Sequence, residues 1–239
     1  GSDPRGIWLA ECGYTPGVED LLKEVGIRYF FVDTHGIYYG DPRPRCGVYN
    51  HIYTPCGVAA FGRDPESSRS VWSAESGYPG DGVYREFYRD LGYDGEYGYV
   101  RNFLHPDGIR RNLGLKYHRI TGKIPLHEKQ AYVPTPAFRR AMEHGADFVA
   151  SRIRQATHLK GLLGRPPVSP YDAELFGHWW YEGPQFIESI FRAAAGDPEG
   201  RLTAVTGSEY LAECPVGQVV SPSASSWGDN GYNGVWLNS

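Results

Sequence analysis

The chain has 239 residues, enough for one large domain or two small ones. A formal net charge of −4 and 41% hydrophobic residues describe an ordinary soluble globular protein and give no ground for binding nucleic acid or an anionic membrane surface. No apolar run approaches the ~20 residues that cross a bilayer, and Gly1-Ser2-Asp3-Pro4-Arg5 leads into Ile7-Trp8-Leu9 without the pattern of a signal peptide. The four cysteines, Cys12, Cys46, Cys56 and Cys214, form no C-x-x-C pair, so no structural zinc is expected. They read as reduced thiols of a cytoplasmic protein, although Cys46 and Cys56 are spaced to bridge a loop. Tyr (18) outnumbers Phe (10), which suits polar ligands that still carry apolar patches.

In chain order, Gly6 to Glu11 is a short apolar run ending on a carboxylate. Residues 17–25 read as a helix with Val18, Leu21, Leu22 and Val25 on one face. Ile27 to Asp33 is the strongest strand candidate, and it ends at Thr34-His35-Gly36. Two strands separated by a helix make a βαβ unit, which places Glu11, Asp33 and His35 at carboxyl ends of parallel strands. Residues 37–56 read as a loop and Val58 to Phe61 as a third strand. Residues 64–82 are turn-rich, and Tyr84 to Leu91 reads as one or two helical turns. Residues 92–135 lack periodicity, as in a lid or substrate loop.

Phe138 to Leu163 is the clearest helix, with Phe138, Met142, Val149, Ile153, Ala156 and Leu163 as its stripe. Thr135 is expected to cap it, Pro136 to open it, and Gly164 with Pro166-Pro167 to end it. A strand near 168–171 follows, then a helix from Phe186 to Ala195, a strand from Leu202 to Thr206, and a short helix capped by Ser208. Strands near 7–10, 27–32, 58–61, 168–171 and 202–206 alternating with helices predict an α/β fold. Five are too few to close a parallel barrel of about eight strands. The tail from Pro222 to Asn238 holds Trp227 and Trp236.

The most informative stretch is Ser169 to Gly183, SPYDAELFGHWWYEG. It delivers Asp172 at the end of an apolar run, beside His178, Trp179 and Trp180. Indole rings stack on the apolar faces of sugars. Adjacent side chains point different ways, so one tryptophan is expected to face sugar and the other to join the core. Trp227 and Trp236 read as a second stacking platform or as a packed tail. His35, His105, His118 and His127 lack metal-ligand spacing.

Together WLAECGYTPG (Trp8 to Gly17) and PYDAELFGHWWYEG (Pro170 to Gly183) resemble the catalytic motifs of glycoside hydrolase family 57, most closely its glucan branching enzymes. Gly62 to Ser68, Gly77 to Asp81, GLKYHRITG (Gly114 to Gly122) and the tail SSWGDNGYNGVWLN (Ser225 to Asn238) are similar to the same subgroup, in the same order. The resemblance implies an incomplete (β/α)7 barrel, of which about five of seven strands lie here. It also implies that the early His-x-His strand and the C-terminal helical region fall outside this chain. Residues 1–239 are then one catalytic barrel fragment, with an insertion or lid at about 62–135.

The resemblance further implies a retaining mechanism on α-1,4-glucan such as amylose or glycogen. Glu11 takes the place of the nucleophile and Asp172 that of the general acid/base. Retaining chemistry sets two such carboxyls about 5–5.5 Å apart. Without the motif, Glu11 would be a strand-end acid paired with an arginine, and Asp172 a helix cap. Arg89, Gly108 and Trp227 are placed as substrate contacts. His35 and Trp179 join them, His35 either bonding a sugar hydroxyl or orienting Glu11. No cofactor, metal, nucleic acid or membrane partner is expected. An α-glucan hydrolase of the same family and a non-catalytic glucan-binding fragment are the alternative readings.

Overall fold

A computed structural model describes residues 3–162, 171–232 and 234. In chain order its regular elements are β1 (Gly6–Trp8), α1 (Val18–Glu24), β2 (Tyr29–Val32), α2 (Thr34–Tyr38), β3 (Ile52–Tyr53), β4 (Ala59–Gly62), α3 (Pro65–Trp72), α4 (Leu91–Asp94), α5 (Tyr97–Val100), α6 (Pro134–Leu162), α7 (Gly183–Ala195), α8 (Gly207–Glu213) and β5 (Gln218–Val219). The chain divides into two compact units. Unit 1 holds 1–68, 152–170 and 203–239, and unit 2 holds 69–151 and 171–202.

Unit 1 is built on a five-stranded sheet in the order β1-β2-β4-β3-β5. β1, β2 and β4 run parallel, β3 is antiparallel to β4, and β5 is parallel to β3. This is an α/β sheet that does not close, the partial-barrel architecture expected. The period of two in Tyr-Phe-Phe-Val sorts β2 into two faces. Phe30 and Val32 point into a core with Leu22, Ile27, Ile37, Val48, Ile52 and Val220. Phe31 instead meets Trp8 and Phe61, with ring centres 5.8 and 5.7 Å apart. Gly62 lets α2 close on β4, because a Cβ there would come 2.6 Å from Ile37 Cγ1.

Several elements depart from the pattern reading. Of the apolar face expected in α1 only Leu22 is buried. Leu21 and Val25 are 62% and 74% exposed, so the expected four-residue face is narrower. The loop expected over 37–56 contains β3, which turns into β4 through Thr54-Pro55-Cys56-Gly57. Gly57 adopts φ +92 and its N–H donates to the Thr54 carbonyl at 2.8 Å. Pro at the second position and a left-handed Gly at the fourth are a hairpin signal. No strand forms over 202–206, which is irregular and, from Thr203 on, exposed. Thr206, not Ser208, caps α8, in a capping box with Glu209. The strand expected at 168–171 lies outside the described residues except for Tyr171, and so do Leu163, the Gly164–Pro167 stop and Trp236.

Unit 2 has little regular structure besides α7 and the first part of α6. The turn-rich 64–82 stretch contains α3, whose start is held by Asp64 Oδ2 accepting the Ser67 N–H at 2.9 Å. Residues 84–90 are not helical, and helices appear just after them as α4 and α5. Helix α6 begins at Pro134, so Thr135 sits inside it and does not cap it. Its buried stripe is Ala137, Ala141, Gly145, Phe148 and Val149, while Met142 is 49% exposed. Small residues win that face because α7 packs closely there: a Cβ on Gly145 would come 2.5 Å from Ser189 Cβ. Gly183-Pro184 open α7, three residues before the expected start at Phe186. Phe186 of α7 joins Tyr84, Leu175 and Trp180 in the unit 2 core.

Candidate active site

In unit 1 the parallel strands β1, β2 and β4 deliver Glu11, Asp33 and Arg63 just past their carboxyl ends. The backbone at Glu11 is unusual. Glu11 and Cys12 both have positive φ, 54° and 52°, in the left-handed region that costs non-glycine residues energy. Two strained residues in succession persist only where neighbours hold them. Here the tail loop does so. Tyr14 and Ser225 exchange backbone bonds at 2.8 and 3.0 Å, and the Trp227 N–H donates to the Glu11 carbonyl at 3.1 Å. Trp227 Nε1–H also donates to Glu11 Oε2 at 2.7 Å, and its ring meets Trp8 at 5.0 Å. Among the described residues Glu11 is therefore paired with an indole and not with an arginine.

The arginine goes to Asp33. Arg63 Nη2 lies 3.0 Å from Asp33 Oδ2, and the guanidinium stands 5.8 Å from the Trp227 ring centre. Asp33 Oδ1 accepts the Thr34 N–H at 2.6 Å, which caps α2. His35 Nδ1 is 3.5 Å from the same oxygen, and Nε2 lies 2.6 Å from the Gly231 carbonyl oxygen. A carbonyl only accepts, so Nε2 carries a hydrogen. His35 thus fastens the tail loop that carries Trp227, and any influence on Glu11 passes through that loop. Cys12 is fully buried beneath this cluster. Burial first, and the charge of Asp33 second, push its thiol up to about 12, which keeps it out of thiolate chemistry.

In unit 2, Asp172 precedes a single 3-10 turn, Ala173–Leu175, and its Oδ1 accepts the Glu174 N–H at 3.2 Å. The capping role is real, and it leaves Oδ2 for other work. Of the two tryptophans that follow, Trp180 is 2% exposed and joins the core, whereas Trp179 is 47% exposed and stacks on Phe87 at 4.2 Å. His178 faces Glu174 at 3.7 Å. Arg89 braces loops: Nε donates to Asp94 at 2.7 Å, and Nη1 to the carbonyls of Leu126 and Lys129 at 2.8 and 3.2 Å. Gly108 sits at φ +71 with its carbonyl accepting from the Tyr97 hydroxyl at 3.0 Å.

The structure therefore groups Glu11, His35 and Trp227 in one cluster of unit 1. Arg89, Gly108, Asp172 and Trp179 lie in unit 2. Sequence reasoning missed Arg63, Asp33's partner, and Phe87, Trp179's partner; both belong to stretches with no clear period. Among the described residues no group of His, Cys, Asp and Glu forms a metal site, and no helix is long and apolar enough to cross a membrane.

The sequence model of glycosyl hydrolase family 57 matches residues 1–158. A probable 1,4-alpha-glucan branching enzyme of Mycobacterium tuberculosis is 36% identical over 98% of this chain and 40% of its own length. The alpha-amylase AmyC of Thermotoga maritima superposes with a TM-score of 0.86 at 46% identity, over 97% of this chain and 45% of that one. A branching enzyme of Thermococcus kodakaraensis, solved with glucose, gives 0.78 at 32%, over 98% and 44%. The chain thus spans about two fifths of the length of the relatives it matches. Matched over more than half its length by the family's sequence pattern, the chain belongs to glycosyl hydrolase family 57.

Proposed function

We propose that the protein containing this chain is a retaining 1,4-α-glucan branching enzyme, with Glu11 as nucleophile and Asp172 as general acid/base. The observation that carries this reading is the strained backbone at Glu11. Its carboxylate stands at a parallel strand end with Oε2 held by the Trp227 indole. That bond leaves Oε1 to attack the anomeric carbon. As the C1–Oε1 bond forms, the bond from C1 to the leaving chain's oxygen breaks, and that oxygen takes the proton of Asp172. Asp172 then removes the proton from a 6-hydroxyl of a second glucan. That oxygen attacks C1, the C1–Oε1 bond breaks, and an α-1,6 branch results with both carboxyls restored.

Water in place of the 6-hydroxyl gives hydrolysis, and the likeness to an alpha-amylase at 46% identity favours that second reading. Transfer requires a site that excludes water and holds an acceptor. The insertion over 62–135 is the lid in this proposal. Trp227, His35, Arg89, Gly108 and Trp179 are its substrate-side residues, and a soluble cytoplasmic setting for glycogen synthesis follows from the same reading.

The test incubates amylose with the protein and with its Glu11→Ala form, then debranches the product and measures chain lengths. Branching predicts a shift of the iodine spectrum and new short chains without matching release of reducing ends. The variant should lose these. Matching release of reducing ends supports the hydrolase. Identical products from both proteins would remove Glu11 from the nucleophile's role.

A further inference from the structure

Unit 2 contains a groove of about 650 Å³. Its volume is in the range of small-ligand sites. Phe87 and Trp179 form one wall as a stacked pair, 4.2 Å between centres and 30° between planes. Tyr88, 71% exposed, and Leu126, 49% exposed, line it further. Large aromatic and aliphatic faces are thus held open to solvent beside polar groups. Such a surface is unfavourable unless something covers it.

The opposite wall is fixed in place. Lys129 Nζ donates to the carbonyls of Ile120 and Gly122 at 2.6 and 2.7 Å, and Arg89 Nη1 holds the carbonyls of Leu126 and Lys129. These bonds shape the groove before any ligand arrives, which lowers the ordering cost of binding. Its cations also have neighbours. Lys129 lies 3.4 Å from Glu86 Oε2, and the Arg85 guanidinium stands 3.9 Å above the Tyr181 ring. The lysines of the lining thus already face carboxylates, Lys123 at 3.5 Å from Glu75 Oε1, and aromatic and aliphatic faces make up most of what the groove offers. It suits a neutral ligand with flat apolar faces and hydroxyl edges.

A second feature points to hydroxyls. Trp180 also lines the groove, is 2% exposed, and its Nε1–H has no acceptor. A buried donor left unpaired costs about 1–3 kcal/mol, recovered when a ligand oxygen accepts from it.

The groove is also close to the acid/base in the chain. Leu175, another lining residue, closes the 3-10 turn that Asp172 begins, its N–H donating to the Asp172 carbonyl at 3.2 Å. A 3-10 turn rises about 2 Å per residue, so Asp172 stands only about 6 Å along the turn from the groove wall. In retaining chemistry the acid/base serves the leaving chain and, by microscopic reversibility, the incoming acceptor.

We infer that this groove is the acceptor-side glucan site: a short α-1,4-glucan segment stacks on the Phe87–Trp179 pair and accepts a hydrogen bond from Trp180 Nε1. The inference rests on the branching reading for the word acceptor, but binding itself does not depend on turnover.

The experiment therefore reads binding first. The protein is titrated with maltoheptaose while the indole N–H resonances of its tryptophans are followed. Trp179→Ala and Phe87→Ala are each expected to weaken binding about tenfold or more, and Trp179→Phe to stay within about threefold, because it keeps a stacking face. The Trp180 indole resonance should move on binding, and thermal unfolding of each variant checks its fold. Glu11→Gln should bind maltoheptaose as the parent does. In turnover, Trp179→Ala should raise KM for an added maltotetraose acceptor by a larger factor than it lowers release of reducing ends without acceptor. Affinity indifferent to both alanine substitutions, or a Trp180 resonance that stays still at saturation, overturns the groove. Release of reducing ends that falls in step with transfer overturns its assignment to the acceptor and makes it a donor site. Binding through the groove in a protein that turns nothing over supports the site and refutes the branching reading alone.

Discussion

Units 1 and 2 hold their functional side chains by different means. In unit 1 a parallel ladder fixes β1, β2 and β4, and the residues that follow each strand arrive together. In unit 2 the loops between residues 84 and 132 are paired only at isolated antiparallel bridges, Arg85 with Arg119 and His118 with Ala131, and side chains bonded to backbone groups do much of the remaining holding. Asp90 is the centre of that arrangement. It is fully buried and accepts from the backbone N–H groups of Gly92, Leu113 and Gly114 at 2.8, 2.8 and 2.9 Å, with Lys116 Nζ at 3.2 Å. Arg110 repeats the device in reverse, donating to the carbonyls of Gly92, Tyr93 and Gly95. A ladder distributes its cost of failure over many bonds, whereas a single carboxylate concentrates it.

That contrast predicts the largest effect. Asp90→Ala orphans three backbone donors and leaves Lys116 without its partner, and should cost about 3–5 kcal/mol in urea unfolding. Amide exchange should accelerate over residues 91–116 while β2 and β4 keep their protection. Equal acceleration in the sheet would show that the two regions are not separately held. Asp90 also gives the region an acid limit. Burial opposes its ionisation, yet the bonds from Leu113, Gly92 and Lys116 prevail and set its folded pKa below the ordinary carboxylate value. Its contribution is then present above the unfolded value and lost as pH falls through the folded one.

A smaller effect tests the unit 1 cluster. Trp227→Phe keeps the ring against Trp8 but removes the donor to Glu11 Oε2. A hydrogen bond to a charged group contributes about 1.5–3 kcal/mol, so kcat/KM for glucan should fall roughly 10- to 150-fold, with stability nearly unchanged. An unchanged rate would mean that the indole does not orient the nucleophile.

Glu182 reverses the sign found at Asp90. It too is fully buried, but only the Arg85 N–H donates to its Oε1, at 3.1 Å; the Tyr132 hydroxyl stands nearby without closing a hydrogen bond. Burial therefore outweighs Tyr132 and Arg85 and raises its pKa. A raised folded value means that stability is complete below the unfolded carboxylate range and declines as pH rises through the folded value. Glu182→Gln should raise Tm by a few degrees at neutral pH and remove that decline, with no gain in acid. A melting profile of the same shape in both proteins would place the charge elsewhere.

The same contrast explains what could be read from the residues alone. Period two found β2, and a carboxylate after each apolar run found Glu11 and Asp33, because a ladder converts local pattern directly into position. The strain at Glu11 left no trace in the sequence, since a positive φ at Glu is imposed by Ser225 and Trp227 from far along the chain. In unit 2, Arg89 was selected by resemblance, but its bonds to Leu126 and Lys129 carbonyls depend on loop paths that no period records. Helix α6 was legible as a helix and misread in its face, because Gly145 and the two alanines are neutral in a hydropathy pattern yet decide how closely α7 approaches. The strand expected at 202–206 is β-branched enough, but among the described residues nothing pairs with it, and Thr203 to Thr206 stay exposed.

Thr206, next to that segment, completes the comparison. Its hydroxyl accepts the Glu209 N–H at 3.2 Å, and Glu209 Oε2 accepts the Thr206 N–H at 2.7 Å. Chemically these are the bonds Asp90 makes, an oxygen on orphan backbone donors at the start of a helix. The difference is water. Thr206 is exposed, so its donors are rehydrated when the hydroxyl is removed, and Thr206→Ala should cost about 1 kcal/mol by urea unfolding, with fraying confined to α8. Asp90 itself is fully buried, and the N–H of buried Gly92 has no such recourse, while those of Leu113 and Gly114 are less covered. If the two substitutions cost the same, the number of bonds and not their burial would govern, and the account of unit 2 as a region held by buried side-chain-to-backbone bonds would have to be abandoned.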